Sequence, residues 1–336
     1  MSDSAMAEDS KPPSFGIRPA TADDTSAILE LLAQSLGWAN TPQFREFYAW
    51  KHDANPFGAS ARWVAVEDGR VIGFRAFLRW ELERDGRRVR AVRAVDTATA
   101  PDAEGRGVFR QLTLAGIDAL ERDGVDLVFN TPNDRSGRGY LSMGWQEVGR
   151  VPRGVRPRSF ASAARLLSAR GGESPRWSEP STMGMDAGDL LAESVPIAAL
   201  LESRVSATAM RTALSADYLR WRYAGAIPAR IVTHPDGADH GVAFVRVRRR
   251  GRARIAVLGD VLAPRGEPEL ERAIVRRVAA EADADGIAAL GRLVRVPDGF
   301  LPLGGRGPRL VTRALRSEPP TSLDAWDVGY GDLELL

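Results

Sequence analysis

Residues 103–109 read AEGRGVF, and the prediction of the fold is built outward from this glycine-containing stretch. It follows a segment with strand character, residues 88–99, and opens a helix predicted over 109–122, whose apolar positions lie mostly on one side. The first turn of a helix exposes unpaired N–H groups and a partial positive charge, and glycine lets the backbone approach a bound anion closely. The stretch is therefore a candidate phosphate or pyrophosphate cradle, with an ordinary turn before a helix as the alternative.

The residues on both sides of this stretch predict alternating helices and strands. Helical spacing follows the N-cap candidate Thr21 and reaches Leu36, and a second helix is predicted over 41–51. Strands joined by short turns then form an antiparallel meander, and further elements follow the glycine stretch. The predicted segments are strands over 63–66, 71–83, 88–99, 125–129 and 146–151, and helices over 109–122 and 136–143.

Two families of phosphate-binding motif do not fit this stretch. A P-loop requires GKS or GKT, which is absent, and the dinucleotide fingerprint requires a third glycine where this chain has Arg110. The order of elements instead resembles the GCN5-related N-acetyltransferase (GNAT) fold. The family loop pattern is Gln/Arg-x-x-Gly-x-Gly/Ala, which Gly107 matches and from which Glu104 and Phe109 depart.

A second motif carries the same resemblance. The family has Asn, a small residue three positions on, Tyr seven on, and Gly followed by an aromatic residue eleven and twelve on. This chain has Asn133, Ser136, Tyr140 and Gly144-Trp145 at those positions. The resemblance covers residues 15–155.

The resemblance implies acetyl-CoA as cosubstrate and no metal. In the family, the strand before the loop and the strand after its helix splay apart, the pantetheine arm lies between them, and the loop holds the pyrophosphate. Glu104 removes one donor from that anion site and adds a carboxylate. The implied cofactor-binding residues are Thr97, Thr99, Glu104, Gly105, Arg106, Gly107, Val108, Phe109, Arg110, Asn133 and Ser136.

Two residues are candidates for proton transfer. Tyr140 matches the family position whose hydroxyl faces the CoA sulfur, so it is the candidate general acid, and the alternative is a tyrosine packed between helix and sheet. Asp96 lies at the working end of the central strand and is the first candidate for the base, acting through a water, with a structural carboxylate as the alternative. Asn133 is predicted to contact the pantetheine arm, to cap a helix, or to do both.

The acceptor pocket is predicted near the second helix. In this family, that segment often forms the acceptor site, and in this chain the segment and its surroundings include Trp50, His52 and Phe57. His52 is a further candidate base, and a structural histidine is the alternative.

The second half of the chain repeats parts of the first in the same order. Trp221-Arg222-Tyr223 echoes Trp50-Lys51-His52, and Asp260 echoes Asp96. The segment 266–271, at the place of the glycine loop, carries three carboxylates and a proline, which would repel a pyrophosphate. We therefore predict an α/β fold of mixed sheets, with two tandem GNAT-like domains, each a largely antiparallel sheet flanked by helices. The predicted units are a disordered tail (1–14), a catalytic domain (15–160), a linker (161–189) and a degenerate repeat (190–336).

Composition excludes several classes of function. The 336 residues contain no cysteine, which excludes disulfides, thiolate metal sites and cysteine nucleophiles. Lys+Arg 46 against Asp+Glu 44 leaves a net charge of +2, which does not predict a nucleic-acid binder. The basic run 246–254 is predicted as a solvated hairpin rather than a nucleic-acid patch, because it lacks stacking aromatics. No apolar run approaches the roughly 18 residues of a membrane span, and the N-terminus has no secretory signal pattern.

The expected protein is a cytoplasmic acetyltransferase, a monomer or a homodimer, that transfers an acetyl group to a small amine in a ternary complex. Two alternatives stay open: a GNAT-shaped CoA sensor or scaffold without activity, and a transferase for protein or peptide amino groups.

Overall fold

The computed structural model describes residues 15–169, 177–192, 194–203, 208–264, 267–295, 299–305 and 307–333. The predicted tail, residues 1–14, and the middle of the predicted linker, residues 170–176, lie outside the described residues. The strands are β1 Gly16–Pro19, β2 Ala61–Glu67, β3 Arg70–Arg84, β4 Arg87–Thr99, β5 Leu127–Asn130, β6 Gln146–Arg150, β7 Arg153–Pro157, β8 Met185–Asp186, β9 Met210–Thr212, β10 Arg230–His234, β11 Gly237–Arg250, β12 Ala253–Leu262, β13 Gly286–Leu290, β14 Leu301–Pro302, β15 Arg309–Ala314 and β16 Trp326–Asp327. The helices are α1 Thr25–Leu36, α2 Pro42–His52, α3 Val108–Arg122, α4 Asp134–Ser142, α5 Phe160–Ser168, α6 Ala187–Ala192, α7 Ser194–Glu202, α8 Ala216–Ala224, α9 Pro268–Glu281 and α10 Tyr330–Leu333.

The first sheet has the strand order β1-β2-β3-β4-β5-β15-β6. Strands β2 to β4 form the predicted antiparallel meander. Strand β1, which the sequence did not predict, pairs antiparallel with β2. Strand β5 joins β4 in parallel, but only residues 91–93 pair with 127–129. Beyond those residues the two strands diverge, which opens the sheet on the side where α3 begins.

The second sheet repeats this order as β8-β10-β11-β12-β13-β7-β14. Its central strands β12 and β13 are again parallel, and they pair only through 255–257 and 286–288. The predicted class, a mixed α/β fold with mixed sheets flanked by helices, is confirmed, and two sheets are consistent with two tandem domains.

Strands of each half of the chain lie in the other half's sheet: β7 of the first half joins the second sheet, and β9, β15 and β16 of the second half join the first. Strand β7 pairs with β13 of the second sheet, and β15 pairs with β5 and β6 of the first. The predicted boundaries at 160 and 190 stay a prediction, and sheet membership crosses them. The segment from residue 161, predicted as linker, continues α5, which Ser159 caps by accepting a hydrogen bond from the Ser162 amide.

The two halves also share one apolar core. Trp50 of α2 stacks on Trp221 of α8 with ring centroids 4.9 Å apart and planes 20° apart. Each indole N–H donates to the backbone carbonyl of the other tryptophan, at 2.8 and 2.9 Å. This reciprocal contact explains why both halves have a tryptophan at the corresponding position, because each tryptophan makes the same contact with the other.

The basic run 246–254 forms the predicted hairpin between β11 and β12. It is not solvated throughout: Arg246 is buried and donates to the carbonyls of Arg222 and Ile227. Arg249 and Arg254 pair with Glu179.

Candidate active site

The divergence of β4 and β5 creates a cleft of about 670 Å³. That volume suits a small-molecule or cofactor ligand. Its walls come from the end of β4, the loop and first turn of α3, the end of β5, and α4. The lining includes Asp96, Thr97, Thr99, Glu104, Gly105, Gly107, Val108, Phe109, Arg110, Asn133, Arg135, Ser136 and Tyr140.

The glycine loop gives α3 an open N-terminus. Gly105 and Gly107 have φ of 77° and 78°, in the left-handed region that glycine adopts without steric cost. Among the described residues, no side chain caps the N-terminus of α3. The unpaired amides and the positive end of the helix dipole therefore face the cleft, where an anionic group would satisfy them.

Tyr140 lies on the wall that α4 forms and is only 4% exposed. Its ring meets Phe109 and Trp145 edge-on, at centroid distances of 5.5 and 5.1 Å. Packing on two sides restricts the ring, while the residue still lines the cleft.

Asn133 caps α4. Its side-chain oxygen accepts the Ser136 amide at 2.9 Å and the Ser136 hydroxyl at 3.0 Å. Both residues line the cleft, so the cap also places two polar side chains at its edge.

Asp96 reaches the cleft, but its carboxylate is held by α2. The same oxygen, Oδ2, lies 2.6 Å from Lys51 Nζ and 2.9 Å from His52 Nε2, and His52 Nδ1 lies 2.9 Å from the Ser60 hydroxyl. Burial alone raises the pKa of Asp96, but the Lys51 ammonium and the His52 hydrogen bond outweigh it and hold the pKa below its usual range. Burial lowers the pKa of His52, in spite of Asp96.

The backbone at Asp96 is irregular as well. The register between β3 and β4 shifts beside this residue, and its φ is 44°, which is uncommon for a residue other than glycine. The bonds from α2 hold this bulge in place, so the network has a structural role whatever else it does.

The end of β4 supplies the two predicted threonines. The Thr97 hydroxyl accepts a hydrogen bond from Arg75 of β3, and the Thr99 carbonyl accepts one from the Ser35 hydroxyl at 3.1 Å. Both line the cleft with their neighbours on the strand.

The charged residues of the loop are partnered differently from one another. Arg106 pairs with Glu67 of β2 and is not among the residues lining the cleft. Arg110 donates to the Ser142 carbonyl at 3.3 Å. Glu104 accepts from Arg135 of α4 at 3.0 Å, which places a cation beside the carboxylate at the cleft.

The predicted acceptor residues do not line this cleft. Trp50 stacks on Trp221, His52 is fully buried, and Phe57 packs between Tyr218 and Trp80 at centroid distances of 5.4 and 5.8 Å. Trp50 and Phe57 pack in the core between the two halves, whereas His52 bonds Asp96 and Ser60 within the first half. Their role in acceptor binding stays a prediction that this packing does not support.

Sequence reasoning missed Arg75 and Arg135. Arg135 lies two residues after Asn133 within the matched motif, a position that could have marked it as a residue of the cleft edge. Arg75 interrupts the apolar run of β3, and a charged residue at the centre of a buried strand is the signal that could have identified it.

The corresponding divergence in the second sheet is filled by the chain itself. A Cβ placed on Gly329 would lie 3.5 Å from the Gly259 carbonyl oxygen of β12 and 4.0 Å from the Leu290 carbonyl oxygen of β13. Arg222 donates to the Gly331 carbonyl at 2.9 Å, and Arg93 donates to the Leu333 carbonyl at 2.7 Å. The segment 326–333 thus occupies this space and leaves a cavity of about 40 Å³ beside it.

Two further features are absent from the part of the chain that the structure describes. It contains no helix long and apolar enough to cross a membrane. It also contains no group of three or more His, Cys, Asp or Glu residues placed to hold a metal ion.

Comparison with known proteins agrees with this geometry. Residues 16–148 match the family model described as the acetyltransferase (GNAT) domain, which confirms the predicted GNAT domain in the N-terminal part of the chain. The chain has no match among curated proteins.

Solved structures show the same fold over most of the chain. A probable N-acyltransferase from Enterococcus faecalis is 10% identical with a TM-score of 0.63, and a GCN5-related N-acetyltransferase from Anabaena variabilis is 13% identical with a TM-score of 0.63. Eis1 from Mycobacterium abscessus is 17% identical with a TM-score of 0.55. Each match covers 90% of this chain and 73% of the other.

Proposed function

We propose that this chain, whose residues 16–148 match a GNAT acetyltransferase domain, is an acetyl-CoA-dependent N-acetyltransferase. It acts on a small amine by direct transfer in a ternary complex. One observation carries the proposal. A single cleft has the uncapped N-terminus of α3, with two left-handed glycines, on one wall and Tyr140 on another.

The glycine loop fits a diphosphate. The amides at the start of α3 donate to its oxygens, and the helix dipole favours its charge. Arg110 and Arg135 line the same cleft and supply cations. The end of β4, with Thr97 and Thr99, offers backbone groups to the pantetheine arm, and a backbone N–H there stabilises the oxyanion.

Tyr140 acts as the general acid. The amine nitrogen attacks the thioester carbonyl, the C–S bond breaks with its electron pair going to sulfur, and the Tyr140 hydroxyl donates a proton to that sulfur. Holding both reactants in one cleft supplies the entropic part of the rate enhancement.

Asp96 is better suited to structure than to proton abstraction. A carboxylate whose pKa is lowered by an ammonium and a histidine is a weak base. Its counterpart Asp260 is also held from the helix that corresponds to α2, by the Tyr223 hydroxyl, beside the filled space of the second sheet. We therefore assign Asp96 to holding the bulge of β4, and water takes the proton of the amine.

The second half is a degenerate repeat. Segment 326–333 occupies the place of a cofactor, and Glu269 and Glu271 lie in the first turn of α9, where they satisfy its dipole. This predicts one acetyl-CoA site per chain.

Calorimetry and thiol release test the function. We expect one acetyl-CoA site per chain, free CoA with at least one member of a panel of small amines, and a Tyr140→Phe variant that binds CoA but loses turnover. Tyr48→Phe is the matched control, because Tyr48 is buried outside the cleft. Two sites per chain would reject the degenerate repeat, and unchanged turnover in Tyr140→Phe would remove Tyr140 from the mechanism.

A CoA sensor is the second candidate, and the Glu104 carboxylate at the cleft favours it. A sensor would bind CoA without releasing thiol from acetyl-CoA with any amine in the panel. Release with peptide amines alone would instead indicate a protein acceptor.

A further inference from the structure

Arg75 is a charged side chain fully buried beside the cleft. It projects from the middle of β3 and is 0% exposed. One guanidinium nitrogen, Nη1, donates to the Thr97 hydroxyl, while Nε and Nη2 have no hydrogen-bond partner among the described residues. Among the described residues, no carboxylate forms an ion pair with it.

Three aromatic rings surround this guanidinium. Its central carbon lies 4.7 Å from the ring centroid of Phe77, 5.3 Å from that of Tyr140 and 5.8 Å from that of Phe109. Cation–π contacts offset part of the cost of burial. They do not replace a counter-ion, and a buried, partly unpaired charge is expensive for folding.

The charge lies beside the ring of Tyr140, the proposed general acid. Tyr140 and Phe109 line the cleft, and Thr97 belongs to the strand that forms its floor. A fixed cation in a water-poor site stabilises a nearby developing anion without reorganisation during the reaction.

We propose that Arg75 is a positioning residue that acts through Tyr140: its charge stabilises the negative charge shared by the Tyr140 oxygen and the departing sulfur. The inference rests on the proposed function. The amine nitrogen forms the new N–C bond, the C–S electron pair goes to sulfur, and the Tyr140 hydroxyl proton follows it. Water takes the proton that the amine nitrogen releases and returns one to the Tyr140 oxygen, and Arg75 neither gives nor takes one.

A double-mutant cycle tests the coupling between the two residues. We expect Arg75→Met to lower kcat about ten-fold or more, while the KM for acetyl-CoA changes less than about three-fold. The unfolding temperature should stay the same or rise, because methionine removes a buried unpaired charge. In the Tyr140→Phe background, Arg75→Met should lower kcat no further.

Two more variants separate charge from packing. Arg75→Lys keeps the charge and should recover part of the kcat lost in Arg75→Met. Arg79→Met is the matched control on the same strand, because Arg79 pairs with Asp123 and does not line the cleft, and its kcat should equal that of the wild type.

Several outcomes would overturn the assignment. Additive losses in the double variant, or a loss of CoA binding and stability in Arg75→Met without a fall in kcat, would make Arg75 structural. If Arg75→Met does not fold, the variants Arg75→Lys and Arg75→Gln are compared instead. Equal kcat values for these two variants would reject a role for the charge. A wild-type protein that releases no thiol rejects the proposed function itself, which is a separate result.

Discussion

Among single residues, Glu104 places a negative charge in the loop that we propose holds a diphosphate. Its carboxylate lines the cleft and pairs with Arg135, and both side chains are more than half exposed, at 54% and 83%. An exposed pair of this kind is weak. Binding of a diphosphate would therefore transfer Arg135 from Glu104 to the phosphates at little cost.

We predict that Glu104→Gln tightens CoA binding. The change removes the like charge and frees Arg135, so the Kd should fall about two- to five-fold, and the gain should shrink at high salt. Calorimetry at low and high ionic strength measures both effects. Glu46→Gln, which removes an exposed carboxylate of α2 outside the cleft, is the control. Weaker binding in Glu104→Gln would mean that the carboxylate itself positions the ligand.

Asp96→Asn separates the structural assignment of Asp96 from a catalytic one. Asparagine tolerates the left-handed backbone, but the 5% exposed Lys51 ammonium loses this carboxylate. We expect the free energy of unfolding to fall by about 3–5 kcal/mol, as measured by denaturant unfolding. Lys51→Met combined with Asp96→Asn should recover part of the loss. A variant of wild-type stability without turnover would instead identify Asp96 as the base.

The sequence predicts most cleft residues because they belong to motifs with fixed local spacing. The loop at 104–110 and the residues Asn133, Ser136 and Tyr140 follow directly from such spacing, and all but Arg106 line one cleft. His52 and Trp50 lie only two positions apart, yet their environments depend on Asp96 and Trp221, which are distant in the chain. Contacts of that kind leave no local pattern, and the same holds for Arg75.

At the scale of elements, α3 depends on the residue that begins it. Gly107 is its N-cap, and a Cβ there would meet Gln111 Nε2 only at 3.8 Å, so space is available for a side chain. The obstacle is the φ of 78°.

Gly107→Ala should therefore either strain the backbone at the start of α3 or cause the first turn to change its conformation. We expect a loss of about 1–2 kcal/mol in the free energy of unfolding, together with weaker CoA binding, because relaxation moves the amides away from the diphosphate. Gly16→Ala is the control, since its Cβ meets nothing within 4 Å and its φ is ordinary. Unchanged CoA affinity in folded Gly107→Ala would show that this turn does not hold the diphosphate.

Element type follows from local signals, whereas strand pairing does not. The meander of β2 to β4 is predictable because short turns join its neighbours. The exchange of β7 and β15 between the sheets is not predictable, because nothing in a strand of five or six residues indicates which distant strand it pairs with.

At the scale of the whole molecule, the halves correspond in order, contact and strand exchange. The central strands of the two sheets have matching orders, Trp50 and Trp221 are 171 positions apart and bond each other reciprocally, and each half supplies at least one strand to the other half's sheet. The two divergences differ in what occupies them: one is an open cleft, and segment 326–333 fills the other. That segment also bonds to Arg93 of β4, so it connects the two sheets.

The segment carries a buried carboxyl that makes its packing sensitive to pH. Asp332 is 5% exposed and accepts hydrogen bonds from the Thr212 hydroxyl and from the Gly329 amide. Burial, followed by repulsion from Asp260, raises the pKa of Asp332 to about 7. In the unfolded chain the group titrates near its ordinary value of about 3.9. Between these values the folded protein holds a proton that the unfolded chain has released, so this group's contribution to stability is lost as the pH rises from about 4 to about 7.

Asp332→Asn should remove this dependence, because an amide of the same shape stays neutral. We expect the variant to unfold at a higher temperature than the wild type at about pH 8, and this difference to shrink at about pH 5, where wild-type Asp332 is protonated in the fold. Thermal unfolding at both pH values measures the effect. Asp324→Asn, at a side chain 78% exposed, is the control and should shift neither temperature. A difference between variant and wild type that is equal at both pH values would show that Asp332 does not titrate in this range, and that hydrogen bonding alone sets its contribution to holding the segment between β12 and β13.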